Sequence, residues 1–238
     1  MSDPARERVL VVGGSRGTGL LIARLLLRRG YPVRVLARDP VRAVLRLSSA
    51  VEVVEGDMTK PDTLAPAVRG AGHIIVTAGV RSAHFAREDR VKRTDYQGVV
   101  NVLSAARRGG MKGRFLYMNA LGVTTPSLAG VLLNLWKRNT LVWRRRVEEE
   151  IRSDDGLDYT IIRAGFLVNG TAGRRAVVVG QTALPLSPRY RIARADVAEA
   201  FVEAVEHPCT SRATFDIVWG KGSRRDGWSA LLDRVKPD

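Results

Sequence analysis

Short apolar runs alternate with longer segments of helical period along most of this chain. The runs at 9–12, 33–37, 51–54, 73–77, 114–118, 158–162 and 214–218 predict strands. The segments 20–29, 40–47, 61–69, 94–108, 139–152, 196–206 and 226–235 predict helices. In 94–108 the inward positions are Tyr96, Val99, Val100, Leu103 and Ala106, and Gly109 with Gly110 ends the helix. In 196–206, Val197, Ala200, Phe201, Ala204 and Val205 share a face, with Asp196 as the expected N-cap. Such alternation predicts an α/β fold around a mostly parallel sheet of about seven strands. No Pro/Ser/Gly-rich linker divides the 238 residues, so 1–238 reads as a single domain, with polar 1–7 as a disordered lead-in.

Two stretches resist this pattern. The segment 128–143, rich in Leu with Trp136 and Trp143, fits a lid, a dimer face or core equally well. The segment 168–193 is punctuated by Gly170, Gly173, Gly180, Pro185 and Pro188, and reads as loop that contacts substrate.

The first strand, helix and second strand form one βαβ unit with glycines at its first turn. Gly13 permits the reversal, Gly17 lets an anion approach the main chain, and Gly19 lets helix and strand pack closely. Ser15, Arg16 and Thr18 share the turn, and the amides and dipole of the helix N-terminus face a pyrophosphate there. Arg38 closes the second strand where an NAD-selective site has an acid, and with Arg16 it matches a 2′-phosphate, which favours NADP(H). Asp39, one place later, is the rival for the ribose.

Charge and composition narrow the picture. The net charge of +15 points to anionic partners, but its arginines come as dispersed pairs, many at helix ends, with no nucleic-acid motif. They draw anionic cofactors and substrates instead. One cysteine, Cys209, excludes an internal disulfide, fits a reducing cytoplasm and reads as incidental. His73, His84 and His207 lack nearby ligand spacing, so no metal is expected. The apolar run 128–136 is too short to span a bilayer and contains Asn134.

The spacing Gly13-x-x-x-Gly17-x-Gly19 followed by Arg38 resembles the short-chain dehydrogenase/reductase superfamily. Gly56-Asp57-Met58-Thr59, Thr77-Ala78-Gly79, Asp95-Tyr96-Gln97-Gly98, Gly156-Leu157-Asp158-Tyr159 and Ala195-Asp196-Val197 narrow the resemblance to its atypical branch, the NmrA-like and biliverdin-reductase-B-like proteins. The resemblance covers about residues 7–219 and implies a doubly wound Rossmann-type fold. It implies that Asp57 and Met58 lie beside the adenine, although Asp57 also suits a turn. It implies that Thr77, Ala78 and Gly79 underlie the ribose and diphosphate, and that Ala164, Gly165 and Phe166 border the nicotinamide. For Phe166, simple core packing is an equal reading.

The superfamily's catalytic residues are replaced. Asn119 and Ala120 stand at the serine-like place, leaving the Asn119 amide as the candidate donor to a substrate. The lysine-like place falls among Arg144, Arg145 and Arg146, four residues after Thr140, Leu141 and Val142, so no tyrosine acid is present. Each of those arginines has a glutamate four positions later, which reads as a solvated, salt-bridged helix face. Two functions follow: an NADP(H)-dependent oxidoreductase acting on a flavin, quinone or other conjugated acceptor, or a silent NADP(H)-binding sensor or regulator with a protein partner.

Overall fold

The structure, a computed structural model, describes residues 6–80, 87–223 and 226–238. Its strands are β1 (Val9–Val12), β2 (Val33–Ala37), β3 (Glu52–Glu55), β4 (His73–Val76), β5 (Phe115–Ala120), β6 (Tyr159–Ala164), β7 (Phe166–Val168), β8 (Val177–Gly180), β9 (Arg191–Ala193) and β10 (Ala213–Trp219). The α-helices are α1 (Gly17–Arg28), α2 (Pro40–Val44), α3 (Ala65–Val68), α4 (Glu88–Val91), α5 (Gly98–Arg108), α6 (Leu128–Trp136), α7 (Thr140–Arg152), α8 (Arg194–Ala204) and α9 (Trp228–Leu232).

Eight strands make one sheet in the order β3-β2-β1-β4-β5-β6-β10-β8. Seven of them are parallel and correspond to the seven predicted runs. The eighth, β8, runs antiparallel along β10 and arises from 168–193, the stretch read as loop. The same stretch supplies β9, which pairs with β7 in a separate parallel ribbon. Strand order reverses between β1 and β4, which opens a crevice at the carboxyl ends of the strands.

Successive residues of β1 enter opposite cores, as the strand pleat requires. Val9 and Val11 pack with Ile22, Leu26, Phe201 and Leu232, while Leu10 and Val12 pack with Val99, Leu103, Val147 and Ile151. The sheet is therefore covered on both faces, by α1, α8 and α9 on one side and α3, α5 and α7 on the other.

Several boundaries differ from expectation for local reasons. The residues before α5 form a π-helical turn, Lys92–Gln97, whose wider repeat holds an extra residue and changes the helical phase. Asp95 is consequently buried, while Tyr96 packs half-buried against the core of Val99 and Leu103 and donates from its hydroxyl to Glu150 at 2.9 Å. The charged run near 87–93 is helical from Glu88; His84 lies outside the described residues. Asp196 does not cap α8, because Ala193 occupies the N-cap; buried at the third position, Asp196 accepts from Trp219 Nε1 at 2.9 Å and Gly173 N at 2.8 Å. In the expected lead-in, Arg6 stacks 4.6 Å from the Tyr31 ring centroid and Glu7 lies 3.6 Å from His73. Helix α6 turns Ala129 and Leu133 toward a small core with Leu121, Val123 and Leu141, while Leu128, Val131, Leu132, Leu135 and Trp136 are exposed. No helix among the described residues is long and apolar enough to cross a membrane.

Candidate cofactor and active site

The glycine turn has the geometry that a dinucleotide needs. Gly13 has φ +90°, and a Cβ there would stand 2.8 Å from the Ala78 amide nitrogen. At Gly19 a Cβ would meet the Gly13 carbonyl oxygen at 2.3 Å and Thr77 Oγ1 at 2.6 Å, so helix and strands close only over glycine. Gly17, with φ +57°, is exposed and has nothing within 4 Å of a Cβ position, which leaves the main chain approachable. Arg16 is the N-cap of α1 and makes no side-chain capping bond, and the first turn carries no acid. That combination suits an anion at the helix N-terminus. Thr18 is buried and Ser15 half-buried beside it. Gly14, which spacing did not single out, matters too: a Cβ there would lie 2.8 Å from Val35 Cγ2.

The floor of the crevice comes from β4. The Thr77 amide donates to Val12 O at 2.9 Å, fastening the end of β4 to the end of β1 and setting Ala78 against Gly13. Beyond β2, Arg38 is exposed. Asp39 turns back to cap α2, accepting from Arg42 N at 3.0 Å and pairing with the Arg42 guanidinium at 3.2 Å. Asp57 takes the turn role: its Oδ1 accepts from the Thr59 amide and hydroxyl, both at 2.9 Å. Met58 is buried over Gly98, and its carbonyl accepts from Asn101 Nδ2 at 3.0 Å, which makes Asn101 a structural amide.

Of the three arginines that the resemblance puts at the lysine-like place, Arg144 turns toward the end of β4. Its Nη1 donates to Met118 O at 3.1 Å, its Nε lies 3.8 Å from Asp95 Oδ2, and its Nη2 occupies the space a Cβ on Gly79 would need, 2.5 Å away. Four residues earlier, Thr140 Oγ1 donates to Asp95 Oδ2 at 2.6 Å, while Asp95 Oδ1 accepts from Val80 N at 2.8 Å. Asp95 thus joins Thr140 and Arg144 at the end of β4. Sequence reasoning placed Asp95 only within a family motif; the π-helical turn that directs it inward left no signal in the apolar pattern.

Asn119, the candidate substrate donor, is committed elsewhere. Its Nδ2 donates to Glu148 Oε2 at 2.8 Å, and its Oδ1 accepts from the Ala120 amide at 2.9 Å. Glu148 also pairs with Arg163, and Arg163 lies 3.7 Å from Asp216 Oδ1. All four residues are buried. Burial raises the Asp216 pKa above the usual carboxylate value, against the opposing Leu184 amide and Arg163. Of the three predicted Arg–Glu pairs on α7, Arg145–Glu149 forms a surface pair at 2.8 Å; Arg144 instead turns to Asp95, and Glu148 into the buried network with Arg163.

Ala164 is buried at the end of β6. A Cβ on Gly165 would stand 2.6 Å from Tyr190 O, and the Phe166 amide donates to that same oxygen at 2.8 Å. Phe166 is half-buried and packs against the cluster of Leu121, Val123, Leu141 and Leu186.

A switch-point crevice, a glycine turn at a helix N-terminus and a parallel sheet buried on both faces define a Rossmann-type dinucleotide-binding protein. The chain belongs to the NAD(P)H-binding family, whose model matches residues 13–208. It is 28% identical over 275 aligned residues to sanguinarine reductase of Eschscholzia californica, across 99% of this chain and 98% of that protein. It is 27% identical over 230 residues to photosystem II assembly factor Ycf39 of Synechocystis sp., across 94% of this chain and 65% of that protein. A solved Bacillus halodurans protein grouped with the NAD-dependent epimerases/dehydratases superposes with a TM-score of 0.81 at 24% identity, covering 97% of this chain and 100% of that one. The resemblance to atypical short-chain dehydrogenases/reductases is borne out at the level of fold and family.

Proposed function

We propose that this protein is an NADP(H)-dependent oxidoreductase that reduces a conjugated small molecule, such as a flavin or quinone, without a Ser-Tyr-Lys set. The observation that carries this reading is the pairing of an intact glycine cradle with Thr140-x-x-x-Arg144 joined through Asp95. Carbonyl reduction by the usual route needs a tyrosine whose proton is lost easily beside an ammonium. The Thr140 hydroxyl is committed to Asp95, and a guanidinium keeps its protons. The site therefore suits an acceptor that takes a hydride without a proton from the protein in the same step.

A bound nicotinamide supplies the hydride. Gly13, Ser15, Arg16, Gly17, Thr18 and Gly19 would hold the diphosphate, Thr77, Ala78 and Gly79 the ribose side, Asp57 and Met58 the adenine, and Ala164, Gly165 and Phe166 the ring. Arg38 with Arg16 would take the 2′-phosphate, a reading supported by the way Asp39 turns back to its own helix. The full-length match to sanguinarine reductase supports reductase chemistry over binding alone.

Two observations favour a second reading, a silent NADP(H)-binding regulator. Asn119 is committed to Glu148, so its amide is not directed to a substrate, and one relative is an assembly factor. Calorimetric titration with NADPH, NADP, NADH and NAD, followed by NADPH oxidation with flavins and quinones, separates the two. Tight NADP(H) binding with turnover supports the enzyme, and binding without turnover across the panel supports the regulator. Failure of all four nucleotides to bind would overturn both.

A further inference from the structure

At the opposite end of the sheet, where β10 begins, the fold gathers three residues whose sequence spacing gave no metal signal. His207 follows α8, Cys209 sits in the 3-10 turn Pro208–Thr210, and Asp233 closes α9. One donor atom from each of these side chains lies within 4.8 Å of the others. We propose that His207, Cys209 and Asp233 form a site for one zinc ion, with water completing the coordination.

Three features support the assignment. Tetrahedral zinc with ordinary Zn–N and Zn–S bonds separates its donors by about 3.5 Å, so a contraction on the order of 1 Å completes the site. His207 is buried, and its Nε2 faces the cluster, 3.4 Å from Asp233 Oδ1 and 3.5 Å from Ser229 Oγ, so the ring already offers that nitrogen to a cation beside Asp233. Finally, the turn is held in place: Arg114 Nη1 donates to Ala204 O at 2.7 Å, His207 O at 2.9 Å and Thr210 Oγ1 at 2.7 Å, and the Arg114 charge is paired to Asp158 at 3.0 Å. Imidazole, thiolate and carboxylate together select a borderline-soft cation over magnesium or calcium. Binding would release the Cys209 thiol proton to solvent and tie α9 to the turn before β10.

The test uses the full chain without a histidine tag, titrated with zinc by calorimetry and with cobalt(II) as an optical probe. One zinc per chain, a rise in thermal midpoint and a thiolate-to-cobalt charge-transfer band are expected. Cys209→Ser should abolish that band, and exposed Asp233→Asn should weaken zinc about tenfold or more, while NADPH affinity stays unchanged in both. Absence of saturable zinc binding by the folded chain, a cobalt spectrum without the thiolate band, or equal zinc affinity in wild type and Cys209→Ser would overturn the site.

Discussion

The two halves of the crevice are built on different principles. On the β1–α1–β2 side, identity is set by what the main chain must do: Gly13 and Gly19 are required because a Cβ has nowhere to go, and α1 begins with no side-chain cap and no acid in its first turn. On the β5–α7–β6 side, in the proposed reading, function rests on side chains, and these have been rewritten into two networks, Thr140–Asp95–Arg144 and Asn119–Glu148–Arg163–Asp216. Cofactor recognition persists because backbone geometry tolerates few substitutes, whereas reaction chemistry changes with a handful of side chains.

The sharpest way to break this contrast is on the rewritten side. Glu148→Ala leaves Arg163 and the Asn119 amide without their buried acceptor, and should destabilise the fold by about 3 kcal/mol or more in urea denaturation. Loss of less than about 1 kcal/mol would mean that Asp216 and water replace Glu148 readily. Next in size, Gly19→Ala forces a methyl onto Gly13 O and should weaken NADPH about a hundredfold in calorimetry, equivalent to about 3 kcal/mol. Unchanged affinity there would remove the glycine cradle from the cofactor site.

Arg38→Ala should cost about tenfold in NADPH affinity and leave NADH unaffected, because only the former offers a 2′-phosphate. Equal losses for both would assign Arg38 to general charge attraction.

The smallest effect is at His73, whose pKa is lowered from 6.5 by burial, with Glu7 opposing. Its Nδ1 accepts from the Arg114 amide at 2.9 Å, which requires the neutral ring. The unfolded chain therefore binds the proton more readily, so stability rises as pH climbs from the depressed folded pKa toward 6.5 and levels off above it. Denaturation midpoints across that range should show the rise in wild type and a flatter profile in His73→Gln.

The cofactor half was legible because its constraints act over a few consecutive residues. Strand, glycine turn and helix all lie within one βαβ unit, and these elements fall close to where the spacing implied. The other half depends on residues far apart in sequence. Asn119 looked available until Glu148 reached it from α7, and Asp39, the weaker rival of Arg38 for the ribose, caps α2 instead. β8 was missed because Val177–Gly180 is a short edge strand among glycines and prolines, where local signals favour loop. The approach of Asp233 to His207 and Cys209 is tertiary, and no local pattern carries it.

The π-helical turn Lys92–Gln97 has a consequence for how such a site changes over time. Removing one residue from it would restore the ordinary helical repeat and change which side chains of the turn face inward. Asp95 would then leave Thr140, Arg144 and the Val80 amide together. A single deletion, leaving every strand and the glycine cradle in place, would thus take this trio apart.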